Sequence, residues 1–286
     1  MPTLPHVLVP ALAAGIVAIL ATVAIERLGG RRGGLLGSLP TTVVPAALGF
    51  WWGAASVTHF RDALYVVPAG MLVNALFLWC WRSLPPRLPK WPLGVRLAAM
   101  VIVSMTAWAG GALLLLEATS FYRDAGRPMA PWGWAFFAAS VALAVVACLQ
   151  SGPAPAGVRA VGPVTLLARG LLAAAAIGLA VALASTAGPI IAGIVSIFPA
   201  IFLTTMVGLW LAQGEAVPSG AVGPMMLGST SVSAFALLAA TLLPLLGPVS
   251  GTLLAWLGAV VLVTLPAWLF LEGVVPAARR SRRTIM

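Results

Sequence analysis

Long apolar stretches alternate with short segments that carry charge, glycine or proline along the whole chain. A helix that crosses a bilayer needs about 20 apolar residues. Two uncharged runs, 170–214 and 216–271, are too long for one crossing each, and we divide them at Gly188-Pro189 and Gly247-Pro248, where a turn is favoured. The pattern then predicts nine spans, at about 7–26, 30–52, 62–81, 95–116, 131–150, 167–186, 188–212, 217–244 and 250–272.

Composition agrees with an all-α polytopic membrane protein. The chain of 286 residues is 61% hydrophobic and only 8% charged, which leaves too few charges to solvate the surface of a soluble domain. The net charge of +10 does not indicate nucleic-acid binding, because the basic residues lie in loops beside apolar spans. With two cysteines and two histidines, we expect no metal site and no cofactor.

The basic residues predict the orientation of the chain. Cytoplasmic loops of membrane proteins carry an excess of Lys and Arg. With nine crossings, only Arg61, Arg123 and Arg127 fall on the side of the N-terminus, which we therefore expect outside a bacterial inner membrane. The other thirteen of the sixteen basic residues fall on the opposite side, with the C-terminus: Arg27, Arg31, Arg32, Arg82, Arg87, Lys90, Arg96, Arg159, Arg169, Arg279, Arg280, Arg282 and Arg283.

Several residues recur in order in the second half of the chain. Ala63 and Gly70 recur 158 positions later, and Leu114, Leu116 and Glu117 recur 155 positions later. The longest match lies 159 positions apart and pairs Gly29, Gly34, Pro40, Gly49 and Trp51 with Gly188, Gly193, Pro199, Gly208 and Trp210. We therefore predict two four-helix repeats, residues 1–118 and 159–286, joined by a linking span within 119–158.

The linking span sets the relative orientation of the two repeats. Four crossings return the chain to the side on which it began, so a fifth crossing places the second repeat upside down. Inverted repeats of this kind are a known transporter architecture, with the substrate site near the bilayer midplane.

Prolines and polar residues near mid-span indicate where such a site would lie. A proline inside a helix removes a backbone hydrogen bond, and in hydrocarbon the freed carbonyl must find another partner. We expect spans 2, 3, 7 and 8 to be interrupted near the bilayer centre, where half-helix ends and hydroxyls bind a solute. The candidate binding residues are Pro40, Thr41, Thr42, Asn74, Pro199, Ser229, Thr230 and Ser231.

Charged residues are expected only at span ends. The absence of a mid-span carboxylate disfavours carboxylate-driven proton antiport and favours a neutral or anionic solute, or a monovalent cation held by carbonyls. His59 and Asp62 form an outer cluster with Arg61, interpreted as an interfacial ion pair or a gate. Glu117 and Glu272 end equivalent spans and are further gate candidates. A Ser56-His59-Asp62 hydrolase is not expected, because a triad requires a defined geometry and not sequence proximity.

The run Ala-Gly-Ile-Val-Ser-Ile-Phe-Pro-Ala-Ile-Phe-Leu at residues 192–203 resembles the GlpM-like small inner-membrane proteins of bacteria. These proteins are four-span units with a similar stretch in their second span. The resemblance implies that the chain is a fused duplicate of such a unit. The first half departs from the motif, with Ser38-Leu39-Pro40 in place of the Phe-Pro step, and no functional residue is carried over.

The sequence thus favours a small secondary transporter or permease that moves a small solute or ion, with spans 2, 3, 7 and 8 around the site. A passive channel of the same topology and a non-transporting membrane subunit of a larger complex are the alternatives. We do not expect an enzyme. Partners are the lipid bilayer and the solute, and homo-oligomer formation is left open.

The topology can be tested by cysteine accessibility. In a background without Cys80 and Cys148, we expect a cysteine at Ala125 to react with an impermeant thiol reagent in intact cells. A cysteine at Leu88 should react only after the membrane is opened. The reverse pattern would contradict the predicted orientation.

Overall fold

The computed structural model describes residues 4–28, 39–41, 43–150 and 162–274, which fold into helices without strands. The last span continues beyond its α-helical part through π-helical turns at Val260–Thr264 and Phe270–Val274. The α-helices are α1 (Leu4–Leu28), α2 (Val43–Gly53), α3 (Val57–Ser83), α4 (Leu93–Asp124), α5 (Met129–Gln150), α6 (Pro163–Thr186), α7 (Pro189–Ser196), α8 (Ala200–Gln213), α9 (Ala216–Leu246), α10 (Pro248–Ala259) and α11 (Leu265–Leu269).

Helices long and apolar enough to cross a membrane account for most of the described chain. Seven qualify by length and composition among these residues, and shorter apolar helices at Leu4–Leu20 and Val43–Gly53 lie in the first two predicted spans. A polytopic α-helical membrane protein is thus confirmed, while the count of nine stays a prediction. Residues 29–38 and 42 of the second predicted span lie outside the described residues.

Glycine–proline steps divide the two long apolar runs where the sequence predicted. Gly188 and Gly247 have φ angles of 93° and 80°, a left-handed region that glycine enters without steric penalty. Each precedes a proline at the first position of the next helix, where the missing N–H has no intrahelical partner to lose. The turns at 188 and 247 therefore follow from local sequence.

The expectation that spans 3 and 8 are interrupted is wrong. Helix α3 runs unbroken through Pro68, and α9 runs unbroken through Pro224 and Pro244. Pro244 cannot donate to the carbonyl of Ala240, four residues earlier. The Arg61 Nε donates to that oxygen at 3.2 Å, so a side chain from α3 supplies the hydrogen bond that α9 lacks. A neighbouring helix thus completes the backbone hydrogen bonding of α9 at this proline.

Helices α3 and α9 form the centre of the bundle. Within their apolar windows 72% and 61% of residues are buried, against 22% for both α4 and the last span. The two central helices pack extensively against each other, and the peripheral helices α4 and α10 pack on α3 and α9 respectively. Helix α5 packs on both central helices, and α1 packs on α6.

Glycines allow α1 and α6 to cross at backbone distance. A Cβ added at Gly15 would lie 2.9 Å from the carbonyl oxygen of Gly170, and one added at Gly170 would lie 3.2 Å from that of Gly15. Two other glycines differ in how closely they are packed. A Cβ added at Gly49 of α2 would overlap Val181 of α6 and meet Pro10 of α1 at 3.2 Å, whereas one added at Gly208 of α8 would lie 3.9 Å from Thr165 of α6.

Polar contacts group the helix ends into two sets. Arg61 reaches Ala240 near the start of α3 and the end of α9. At the opposite end of α3, Arg82 donates to the carbonyl of Ala147 at 2.9 Å, near the end of α5. Arg96 near the start of α4 forms a salt bridge with Glu215, which precedes α9. The alternation agrees with the predicted crossings, and the orientation relative to the cytoplasm stays a prediction.

Helix α4 itself continues to Asp124, past the repeat boundary predicted at residue 118.

The α1–α6 crossing predicts the effect of an added methyl group. Gly15→Ala should lower the free energy of unfolding by about 1–3 kcal/mol, because the methyl meets a backbone carbonyl that cannot rotate away. Thermal unfolding in detergent measures this. The matched control is Gly110→Ala in α4, where nothing lies within 4 Å of the added Cβ. Equal midpoints for the two variants would contradict the packing.

Candidate functional site

The seventh predicted span is broken at its proline, as the sequence predicted. Helix α7 ends at Ser196 and α8 begins at Ala200, with Ile197, Phe198 and Pro199 between them. The freed backbone groups are partly satisfied locally: the Ile197 N–H donates to the carbonyl of Ile194 at 3.2 Å, and the Phe198 N–H to that of Val195 at 3.1 Å. We call residues 197–199 the helix break.

Asn74 of the central helix α3 binds the helix break directly. Its Nδ2 donates to the carbonyl oxygen of Ile197 at 2.9 Å and contacts the Sδ of Met71 at 3.6 Å. One turn earlier, Gly70 leaves room for the Ile197 side chain, which an added Cβ would overlap. Asn74 is 2% exposed, and its Oδ1 accepts no hydrogen bond from the described residues. The structure therefore brings Asn74 and the Pro199 break together. The Asn74 Oδ1 remains an acceptor without a donor among the described residues.

Trp108 of α4 lies on another side of the helix break. Its ring packs edge-on against Phe198, with centroids 5.3 Å apart. The indole Nε1 is buried and has no hydrogen-bond acceptor among the described residues. A buried donor and the buried acceptor of Asn74 thus flank the same break. Trp108 was not among the residues predicted from the sequence, because nothing in the uncharged stretch between Arg96 and Glu117 distinguishes it locally.

Two hydroxyls of α9 that were predicted to bind a solute already donate hydrogen bonds within their own helix. Ser229 Oγ donates to the carbonyl of Met226 at 2.8 Å, and Thr230 Oγ1 donates to that of Leu227 at 2.6 Å, both within their own helix. Ser231 is fully buried, and the Oγ of buried Ser233 has no partner among the described residues. The hydroxyls of Ser229 and Thr230 are therefore acceptors for any further contact and not donors.

The candidates in the first repeat are described only in part. Pro40 is buried just before α2, and the Thr41 N–H donates to the carbonyl of Leu39 at 2.7 Å. Thr42 lies outside the described residues. Helix α2 then begins at Val43, so its start follows Pro40 much as α8 follows Pro199.

The gate candidates lie apart from the helix break. Ser56 Oγ accepts the backbone N–H of His59 at 3.1 Å, which explains the Ser56–His59 spacing as a helix N-cap. Asp62 is partly buried and interacts electrostatically with Arg123 and His59. Glu117 and Glu272 are both exposed, on α4 and on the final π-helical turn.

The burial of Arg169 was not predicted from the sequence. Arg169 was counted on the cytoplasmic side at the start of the sixth predicted span, but α6 begins earlier, at Pro163, so Arg169 lies inside the helix and is only 4% exposed. Its Nε donates to Thr204 Oγ1 at 3.0 Å and its Nη2 to Thr205 Oγ1 at 2.8 Å. The Gly162-Pro163 step, a helix-start pattern, was the available signal.

Comparisons with family models, curated proteins and solved structures find no match to this chain. The GlpM-like resemblance stays a prediction.

The Asn74 contact gives a stability prediction. Asn74→Leu should lower the free energy of unfolding by about 1–3 kcal/mol, since the Ile197 carbonyl loses its donor in a buried environment. Ser233→Ala is the matched control, because it removes a buried hydroxyl that has no partner among the described residues and should leave stability unchanged or raised. Thermal unfolding of the two purified variants gives the comparison. A loss in Ser233→Ala as large as that in Asn74→Leu would contradict this assignment.

Proposed function

We propose that the protein is a small secondary transporter or permease of the bacterial inner membrane. The observation that carries the proposal is the helix break in the seventh span, bound by Asn74 of the central helix α3. Broken backbone inside a bilayer is tolerated where it faces protein or lines a polar cavity, and in transporters such breaks bind substrate or ions. The solute would bind between α3, α4 and the break.

Matching contacts in the two halves support an inverted repeat. Gly15 and Gly170, which cross each other, lie 155 positions apart, and so do Pro10 and Thr165. Their partners Gly49 and Gly208 lie 159 positions apart, as in the sequence match. A pseudo-two-fold axis is compatible with the Gly15–Gly170 crossing, although Gly49 is packed more tightly than Gly208 and also faces Val181.

Part of the helix packing is compatible with the proposed symmetry. The proposed equivalents α3 and α9 are both central and touch each other, while their peripheral partners α4 and α10 each pack on the helix of their own repeat. Helix α5 packs on both central helices, as a linker placed near the axis would. In this arrangement one half can rock against the other around a fixed site, which is the motion that alternating access requires.

Two other functions predict different behaviour from the same topology. A passive channel keeps a continuous path and does not exchange access between sides. A non-transporting membrane subunit needs no accessible break at all. The buried Asn74 Oδ1 and Trp108 Nε1 beside the break favour a site that binds a polar solute.

Thiol accessibility at the helix break tests the proposal without knowledge of the solute. We place one cysteine at Ser196, at the end of α7, in a background without Cys80 and Cys148. We expect slow reaction with an impermeant reagent from the outside in cells and from the inside in inverted vesicles. A cysteine at Ser104, fully buried in α4, is the unreactive control.

A second pair of cysteines distinguishes the mechanisms. Arg96→Cys with Glu215→Cys, joined by brief treatment with a reducible bis-methanethiosulfonate cross-linker that spans the length of the two lost side chains, holds the ends of α4 and α9 together. An alternating-access transporter should then lose labelling of residue 196 from the inside and gain it from the outside, and reduction should restore both. Unchanged outside labelling would indicate a channel, and no labelling from either side would overturn transport altogether.

A further inference from the structure

We propose that the loop between α3 and α4 binds the headgroup of an anionic phospholipid. Helix α3 ends at Ser83 and α4 begins at Leu93, and we call the residues between them the 84–92 loop. Its basic residues Arg87 and Lys90 are both exposed, and so is Trp91 beside them. This binding is independent of transport, because the loop lies at one end of the bundle and away from the helix break.

Side-chain contacts hold the backbone of the 84–92 loop in place. Arg96, at the start of α4, donates from Nη1 to the carbonyl of Pro89 at 3.0 Å and from Nη2 to that of Pro85 at 2.9 Å. Leu84 and Leu88 pack against a buried apolar cluster at this end of the bundle. Four of the nine loop residues are prolines, whose φ angle is fixed by the ring. The conformation of the loop is therefore set before a ligand binds.

The two basic residues of the loop keep a charge that no described carboxylate neutralises. The salt bridge at this end of the bundle pairs Glu215 with Arg96, which is turned inward against the loop backbone. Arg87 donates to the carbonyl of Ser83, a neutral group, and neither Arg87 nor Lys90 forms a salt bridge among the described residues. An exposed side of the loop thus carries two positive charges in four residues.

Exposed apolar residues follow these charges directly. Trp91, Leu93 and Val95 are each about half exposed. Helix α4 is peripheral, so in a bilayer its exposed apolar side chains face lipid. Indole rings favour the level between the headgroups and the acyl chains. Arg87 and Lys90, on the loop side of Trp91, therefore lie at the level of the lipid phosphates.

An anionic phospholipid matches both parts of this surface. Its phosphate oxygens accept charge-assisted hydrogen bonds from the guanidinium and ammonium groups, and its acyl chains cover the apolar start of α4. A zwitterionic headgroup brings its own cation, which offsets the attraction to the loop. A free anion gains nothing from the apolar residues. Basic residues beside an apolar helix start therefore favour a lipid, with a net negative charge, as the ligand.

The opposite end of α4 has two basic residues that differ in their contacts. Arg123 interacts electrostatically with Asp62, and the Arg127 guanidinium lies over the ring of Tyr122, 5.5 Å from its centroid. Both are exposed, as Arg87 and Lys90 are. They offer a matched control, because their removal changes the net charge by the same amount at a place where the cations already have partners.

Lipid binding can be measured on the purified full-length protein by native mass spectrometry in detergent. Phosphatidylglycerol and phosphatidylcholine with identical acyl chains are titrated separately. We expect phosphatidylglycerol to bind about tenfold more tightly. In Arg87→Gln with Lys90→Gln its tightest binding should weaken by about tenfold or more, because each basic residue near an anionic lipid contributes about fivefold in affinity. Binding of phosphatidylcholine should stay unchanged.

Further variants separate the site from total charge and from folding. Arg123→Gln with Arg127→Gln should leave phosphatidylglycerol binding unchanged, and Arg87→Lys with Lys90→Arg should retain it because both charges remain. Trp91→Ala removes the interfacial ring without a change in charge and should weaken the binding, so the site is tested even if the double glutamine variant does not fold. The arginines of the C-terminal tail are kept in every variant.

Three results would overturn the inference. They are equal affinity for the two lipids, phosphatidylglycerol binding that survives in Arg87→Gln with Lys90→Gln, and an equal loss in Arg123→Gln with Arg127→Gln. Displacement of the lipid by inorganic phosphate would also contradict it, since the loop would then bind a free anion. A loss confined to the loop variants, with phosphate inactive, would establish the lipid site.

Discussion

Inside a bilayer every backbone N–H and C=O needs a partner within the protein, and this constraint explains how the chain uses its few polar residues. Asn74 donates a hydrogen bond to the carbonyl of Ile197 at the helix break. Arg61 donates to the carbonyl of Ala240, for which Pro244 has no N–H. Arg82 donates to the carbonyl of Ala147 near the end of α5. In a chain with 8% charged residues, side chains that complete the backbone of another helix are what permit proline-containing and broken helices at its centre.

Small residues allow the helices to pack closely in both halves of the chain, but the buried polar residues differ between the halves. Gly15 and Gly170 let two helices meet at backbone distance, and their near-reciprocal contacts are what a two-fold arrangement requires. Under the proposed equivalence, however, Asn74 corresponds to Val232 and Arg169 to Ala14. Each half thus contributes one polar group that the other lacks. If the proposed repeat holds, its two halves therefore differ in the polar groups they carry.

Local sequence predicted what depends on local chemistry. The apolar stretches, the turns at Gly188-Pro189 and Gly247-Pro248, and the break at Pro199 all follow from residues within one turn of the feature. The hydrogen bond that satisfies the Ala240 carbonyl opposite Pro244 did not, since its donor Arg61 is 179 positions away from Ala240 along the chain. The burial of Arg169 was missed for the same reason, because its partners lie 35 and 36 positions later on another helix. Similarly, the hydroxyls of Ser229 and Thr230 were identified as polar but not as hydrogen-bonded to carbonyls of their own helix.

The polar atoms left over at the helix break describe what a ligand must offer. Asn74 Oδ1 needs a donor and Trp108 Nε1 needs an acceptor, and both are buried. Each buried polar atom without a partner destabilises the folded state by about 1–3 kcal/mol. A solute or water that satisfies both atoms recovers that free energy when it enters, whereas a purely apolar ligand does not. With the donors of Ser229 and Thr230 already used inside α9, Asn74 Oδ1 and Trp108 Nε1 are the buried polar atoms beside the break that remain for a bound molecule. Under the proposed transporter function, this pair favours a solute that carries both a hydrogen-bond donor and an acceptor.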